Sequence, residues 1–131
     1  GYSEPLAHLL EAGADLFIMP SRFEPCGLNQ LYSMRYGTLP VVSHTGGLAD
    51  TVCNASPSNL ENGRATGFVF RQQSSRALYN AIRRGIAIYN DRAQWQALQK
   101  QAMQQNFDWK RSARQYLELY RQEPQRETDP A

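Results

Sequence analysis

Two apolar runs, Leu16-Phe17-Ile18-Met19 and Leu39-Pro40-Val41-Val42, constrain this chain most. Neither alternates with polar residues, so each reads as a strand buried on both faces, as in a parallel sheet. Parallel neighbours need a crossover, and the segment between the runs holds a helix-sized stretch, Leu28 to Tyr36, stopped by Gly37. A third strand, Gly67-Phe68-Val69-Phe70, follows a glycine turn, His44-Thr45-Gly46-Gly47, which opens another short helix. Strands alternating with helices predict an α/β fold, a short parallel sheet flanked by helices in a partial Rossmann-like domain. A doubly wound sheet usually has more strands than these, so the chain reads as half of such a domain.

Ser3 is placed to cap a first helix from about Glu4 to Ala12, with Gly13 as its stop. The stretch NASPSNLENGRAT, Asn54 to Thr66, is rich in Asn, Ser, Pro and Gly and predicts a surface loop. Beyond Phe70 the period becomes helical. Leu78, Ile82, Ile86 and Tyr89 line one face; Trp95, Leu98 and Ala102 line a second. Ala113, Tyr116, Leu117 and Tyr120 line a third, with Asp108 as its cap. All three stripes are expected to face the core. Residues 122–131, QEPQRETDPA, carry no apolar period and are expected to form a disordered tail after a folded unit spanning 1–121.

The chain starts Gly1-Tyr2 without a signal segment, which reads as a piece of a longer polypeptide. No run approaches the length of a membrane span. Residues 1–70 carry three basic and six acidic side chains, net −3; residues 71–131 carry eleven basic and six acidic, net +5. The basic residues fall between apolar positions at helical spacing, so they read as solvated helix faces rather than a nucleic-acid surface. Cys26 and Cys53 have no metal-ligand spacing with His8 or His44, no metal or cofactor is expected, and free thiols fit a reducing compartment. Cys53 reads as a small core residue.

The stretch PSRFEPCGLNQLYSMRYGTLPVV, Pro20 to Val42, holds the chemistry. Ligands of open α/β sheets bind at the carboxyl ends of the strands. There the first N–H groups of the following helix, around Gly27, Leu28 and Asn29, lack intrahelical partners and carry the positive end of the helix dipole. They form a ready anion site. Glu24 would repel an anion but suits sugar hydroxyls, so the pair points to a ligand with an anionic middle and a polyhydroxyl end, a nucleotide sugar. On the residues alone, a Glu24 that merely caps a turn is an equally good reading.

That stretch, with TGGLADTV and TGFVF, resembles the donor-binding half of the bacterial glycogen synthase and plant starch synthase family. The likeness runs from GYSEPLAHLLEAGAD, at Gly1, through FDWKRSARQYLELY and covers the later part of the family's C-terminal domain. It implies a GT-B type fold and a retaining glucosyltransferase that moves glucose from ADP-glucose to the non-reducing end of an α-1,4-glucan, without a metal. Glu24 would be the catalytic-site acid holding hydroxyls of the transferred glucose. The backbone at Cys26 and Gly27 would face the sugar, and amides at Leu28 and Asn29 would meet the diphosphate. Tyr2 would stack on adenine. Tyr32 stands where a wider group of glycosyltransferases carries a ribose-facing acid. His8 and His44 are expected to have no catalytic role. The family's N-terminal domain, which faces this half across a cleft, and an upstream Arg and Lys would complete the site, so these 131 residues alone are expected to be inactive. A bacterial cytoplasmic location is expected, plastid if plant. A transferase using UDP-glucose or another sugar, and a non-catalytic nucleotide-binding module, remain as alternatives.

Overall fold

The structure, a computed structural model, describes residue 1 and residues 3–122. The elements run α1 (Glu4–Gly13), β1 (Leu16–Met19), α2 (Asn29–Tyr36), β2 (Leu39–Ser43), α3 (Gly46–Thr51), α4 (Pro57–Glu61), β3 (Phe68–Phe70), α5 (Ser75–Tyr89), α6 (Arg92–Met103) and α7 (Trp109–Gln122). The three strands form one parallel sheet in the order β1-β2-β3, with Leu16 beside Leu39 and Val41 beside Phe68. This is the α/β arrangement that the apolar runs predict. Of the expected tail, 122–131, Gln122 instead closes α7, and residues 123–131 lie outside the described residues.

Position in the sheet decides burial. Central β2 is buried along its whole length, as a strand covered on both faces should be. Its side chains alternate between two cores. Leu39 and Val41 join Met34, Phe68, Trp95 and Leu98 on one side; Val42 meets Leu48 and Val52 on the other. β1 is different. Among the described residues it has a neighbour on one side only, and Ile18 is 45% exposed, so the expectation of burial on both faces does not hold for it.

Local signals set several boundaries. Gly37 ends α2 with φ +80°, its N–H donating to Met34 O and the Thr38 N–H to Ser33 O, a pattern that needs a left-handed residue. Asp91 caps α6 through the Gln94 N–H at 3.2 Å, and Asp108 caps α7 through the Arg111 N–H at 3.2 Å. Other expectations fail. Ser3 stands at the start of α1 without a side-chain cap bond, while the helix ends at Gly13 itself, one residue past the expected Ala12. Within the expected loop, Ser56 accepts from the Asn59 N–H and Pro57 opens the short α4. On α5 the buried positions are Ala81 and Gly85, while Ile86 is 51% exposed. The helix comes so close that a Cβ at Gly85 would lie 3.3 Å from Leu16 Cδ1 and 3.4 Å from Phe68 Cε2. The α6 stripe Trp95, Leu98, Ala102 is buried as read. The α7 stripe is not: Tyr116, Leu117 and Tyr120 are all exposed. Cys53 is half-buried rather than a full core residue, and both cysteines are free thiols. No helix among the described residues is long and apolar enough to cross a membrane.

Candidate functional site

The carboxyl ends of β1 and β2 deliver two loops to one place. The first, 20–28, carries Glu24, Cys26 and Gly27 into α2. The second, His44-Thr45, turns into α3. Their contact is backbone on backbone. The Gly47 N–H donates to Glu24 O at 3.0 Å. A Cβ on Gly46 would stand 2.9 Å from Glu24 C, and one on Gly47 would stand 2.6 Å from Cys26 C. Side chains would part the loops, so the glycine pair exists for this approach. The Ser43 hydroxyl, wholly buried at the end of β2, donates to Ser21 O and ties the first loop down again.

Gln30 completes the support. It lies in the first turn of α2 yet has no exposed surface. Its Nε2 is 3.2 Å from Cys26 O, 2.9 Å from Gly27 O and 3.2 Å from Thr51 Oγ1. The Thr51 hydroxyl in turn donates to Gly47 O at 2.6 Å. Sequence reasoning missed Gln30, Ser43 and Thr51, and read Gly46-Gly47 only as a turn. A polar residue in a helix gives no local sign that it is buried, and its partners lie on other elements.

The residues singled out between 24 and 32 lie along this one loop and helix. Glu24 is half-buried, and its carboxylate has one partner among the described residues, the Ser21 hydroxyl at 3.5 Å, the outer limit of a hydrogen bond. It caps no backbone N–H there. Gly27 adopts φ +70°, a conformation natural to glycine. The Cys26 thiol, Leu28 and Asn29 are exposed. Backbone donation within α2 begins with Leu31 to Leu28 O, so the amides before it are the helix's unpaired set. Tyr2 lies outside the described residues.

Beside the start of α2 is a cleft of about 360 Å³ between α1 and α2, bordered by His8, Glu11, Phe17, Asn29 and Tyr32. His8 Nδ1 is 3.0 Å from the Tyr36 hydroxyl, and its Nε2 is 3.9 Å from Glu4. That makes it a joint between α1 and α2. The His44 side chain is exposed, while its N–H donates to Phe70 O at 2.8 Å. Among the described residues no three His, Cys, Asp or Glu side chains gather where they could hold a metal ion.

Burial pushes the Glu11 carboxyl above its ordinary value of 4.5, with His8 pulling the other way. The folded state therefore holds this proton more tightly than the unfolded chain does. Stability from this group is present at low pH and is lost as pH rises from 4.5 through the raised folded value. Glu11→Gln should flatten that part of the profile and be at least as stable as the parent at pH 7. Thermal melts from pH 4 to 7 check this; a parallel pH dependence in both proteins would contradict it.

The sequence pattern of the family described as glycosyl transferases group 1 matches residues 1–102. A glycogen synthase of Thioalkalivibrio sulfidiphilus is 60% identical over 121 residues, 92% of this chain and 25% of that protein. One from Hydrogenovibrio crunogenus is also 60% identical, with the same coverage. Among solved structures, the catalytic domain of starch synthase IV from Arabidopsis thaliana, bound to ADP and acarbose, is similar with a TM-score of 0.83 and 39% identity, over 92% of this chain and 25% of that one. Sucrose-phosphate synthase from Thermosynechococcus elongatus follows at 0.61 and 34%, over 87% of this chain and 26% of its own. The chain spans about a quarter of the length of the curated relatives it matches.

Proposed function

The chain belongs to the group 1 glycosyl transferases, and from that membership we propose that it is the donor-binding part of a transferase that moves glucose from ADP-glucose to the non-reducing end of an α-1,4-glucan with retention of configuration. The observation that carries the reading is the loop at the end of β1. There a half-buried carboxylate, with one 3.5 Å partner among the described residues, stands three residues before a left-handed glycine and the amides of α2 that are unpaired among those residues. The likeness to a starch synthase bound to ADP and acarbose supports it.

In this reading Glu24 accepts hydrogen bonds from hydroxyls of the transferred glucose. The backbone of Cys26 and Gly27 lies along the sugar. The amides of Leu28 and Asn29 receive the diphosphate, and Tyr32 borders the ribose side; Tyr2 stacks on the adenine. The bond from glucose C1 to the diphosphate oxygen breaks as a new bond forms to the glucan hydroxyl, whose proton is released. Negative charge grows on the leaving ADP. Unpaired N–H groups at the positive end of α2 stabilise that charge without having to reorganise. The chain spans about a quarter of the length of its curated relatives, and in this reading the cationic partners of the diphosphate and the acceptor side of the cleft come from the rest of the transferase. Residues 1–121 act as the later part of the donor domain. A bacterial cytoplasmic location goes with the reading; the higher identity to bacterial glycogen synthases and the two free thiols support it.

The test has two arms. The complete transferase is assayed with glycogen and labelled ADP-glucose or UDP-glucose, and residues 1–131 are titrated with ADP by calorimetry. Transfer from ADP-glucose by the complete enzyme is expected. The 131 residues should give no transfer and ADP binding weaker than micromolar, because a few hydrogen bonds of about 1 kcal/mol each face an association cost of several kcal/mol. Preference for UDP-glucose would favour a second reading, a different sugar nucleotide, which the likeness to a sucrose-phosphate synthase keeps open. Absence of glucan extension with either donor would overturn the proposal.

A further inference from the structure

We infer that Gln30 is a positioning residue: its buried amide turns the Cys26–Gly27 and Gly27–Leu28 peptides so that their N–H groups face outward as paired donors for the diphosphate. The inference rests on the donor-binding reading; it adds the side chain that builds the anion site and moves the Gly27 N–H from the sugar to the diphosphate, next to the Leu28 amide.

The geometry follows from peptide planarity. In a trans peptide the C=O and N–H bonds point in opposite directions, and no peptide among the described residues is cis. Gln30 Nε2 draws both the Cys26 and the Gly27 carbonyls inward, at 3.2 and 2.9 Å. The N–H groups sharing those two planes belong to Gly27 and Leu28, and they must point away from Gln30. Neither donates to any acceptor among the described residues. Gly27 is left-handed at φ +70°, and Leu28 is right-handed at φ −116° and ψ −29°. That alternation of hand makes successive N–H groups converge on one point, the geometry of backbone anion sites.

A second observation sets Gln30 apart from packing. Its Oε1 is buried and has no hydrogen-bond partner among the described residues. An orphaned buried oxygen costs free energy that a leucine or methionine of similar size would avoid. Turning the amide over gives no relief, because the oxygen would then face two carbonyl oxygens. Oε1 rests instead against Gly27, 2.6 Å from where a Cβ would stand. A side chain at position 27 would therefore push aside the amide that aims the two donors. Thr51 Oγ1, 3.2 Å from Nε2, holds the amide from the far side and links it to α3.

Two measurements on the complete transferase test this. In the parent enzyme, with nitrogen-labelled glycine and leucine, the Gly27 and Leu28 amides should exchange near open-chain rates and slow at least about tenfold when pyrophosphate alone is added, as expected when each gains a charge-assisted hydrogen bond. In Gln30→Met, ADP affinity should fall about tenfold, the loss of one such bond, while adenosine affinity stays within about twofold. A purely structural role would weaken both ligands together and leave their ratio unchanged. An unchanged ratio in a folded variant overturns the inference. So do Gly27 and Leu28 amides that are protected before ligand is added, a result that needs no variant. If pyrophosphate slows these amides but neither sugar nucleotide is a donor, the donor reading fails and the role of Gln30 stands. If ADP binds without moving them, the reverse holds.

Discussion

Glu24→Ala in the complete transferase is expected to lower kcat by about a hundredfold or more, because hydrogen bonds to a charged group are worth about 1.5–3 kcal/mol and each 1.36 kcal/mol is tenfold in rate. ADP affinity should stay within about twofold, since in the proposed arrangement the carboxylate meets the sugar and not the phosphates. The structure makes this substitution clean. The Glu24 atom that anchors the loop is its carbonyl oxygen, which accepts from the Gly47 N–H at 3.0 Å. Alanine keeps that bond. The side chain's contact with the Ser21 hydroxyl, at 3.5 Å, contributes little to hold the loop. Loss of kcat and kcat/KM together, with ADP titration unchanged, would match an interaction made in the transition state. Turnover at the parent level would remove Glu24 from the site.

The other large effect is expected at a residue that touches no ligand. Gly47→Ala should lower both ADP affinity and kcat, the latter by about a hundredfold, the scale on which a displacement of about 1 Å at a reactive site acts. A Cβ there would stand 2.6 Å from Cys26 C and 2.7 Å from Cys26 Cα, all backbone, so the loop bearing Glu24 and Gly27 must move away. Overpacking of this kind also costs about 1–3 kcal/mol of stability. Gly63→Ala is the matched control. Gly63 has φ +60°, but nothing lies within 4 Å of its Cβ position. It should lose about 1–2 kcal/mol to backbone strain while donor binding is untouched. Equal functional loss in both variants would show that general destabilisation, not loop displacement, is at work.

The contrast between these glycines separates what is local from what is not. Sequence by itself determined the elements whose signals are local. The two unbroken apolar runs marked strands β1 and β2, Gly37 marked the end of α2, Asp108 the start of α7, and the period of Trp95, Leu98 and Ala102 the buried face of α6. The segment carrying Glu24, Gly27 and the α2 amides was legible too, because a strand, a turn and a helix start follow one another in a few residues. Ser56 and Pro57, which cap and open α4, lie inside a stretch whose Asn, Ser, Pro and Gly content reads as loop, so this short helix was not legible.

Tertiary structure alone decided the rest, since burial belongs to what lies opposite a residue and not to the residue. β1 and β2 have the same apolar character, yet among the described residues only β2 has strands on both sides. The stripe on α7 has the same period as that on α6 and stands exposed, because the described residues place nothing over it. On α5 the close approach of the sheet selected Gly85, where no side chain intrudes, over the larger Ile86. Gln30 reads in sequence as one more polar helix residue. It became the keystone of the loop because Cys26 O, Gly27 O and Thr51, the last from a different helix, converge on its amide once the chain has folded. A sequence records which groups can donate and accept; the pairing of groups far apart along the chain arises only when packing excludes water and leaves those partners as the ones available.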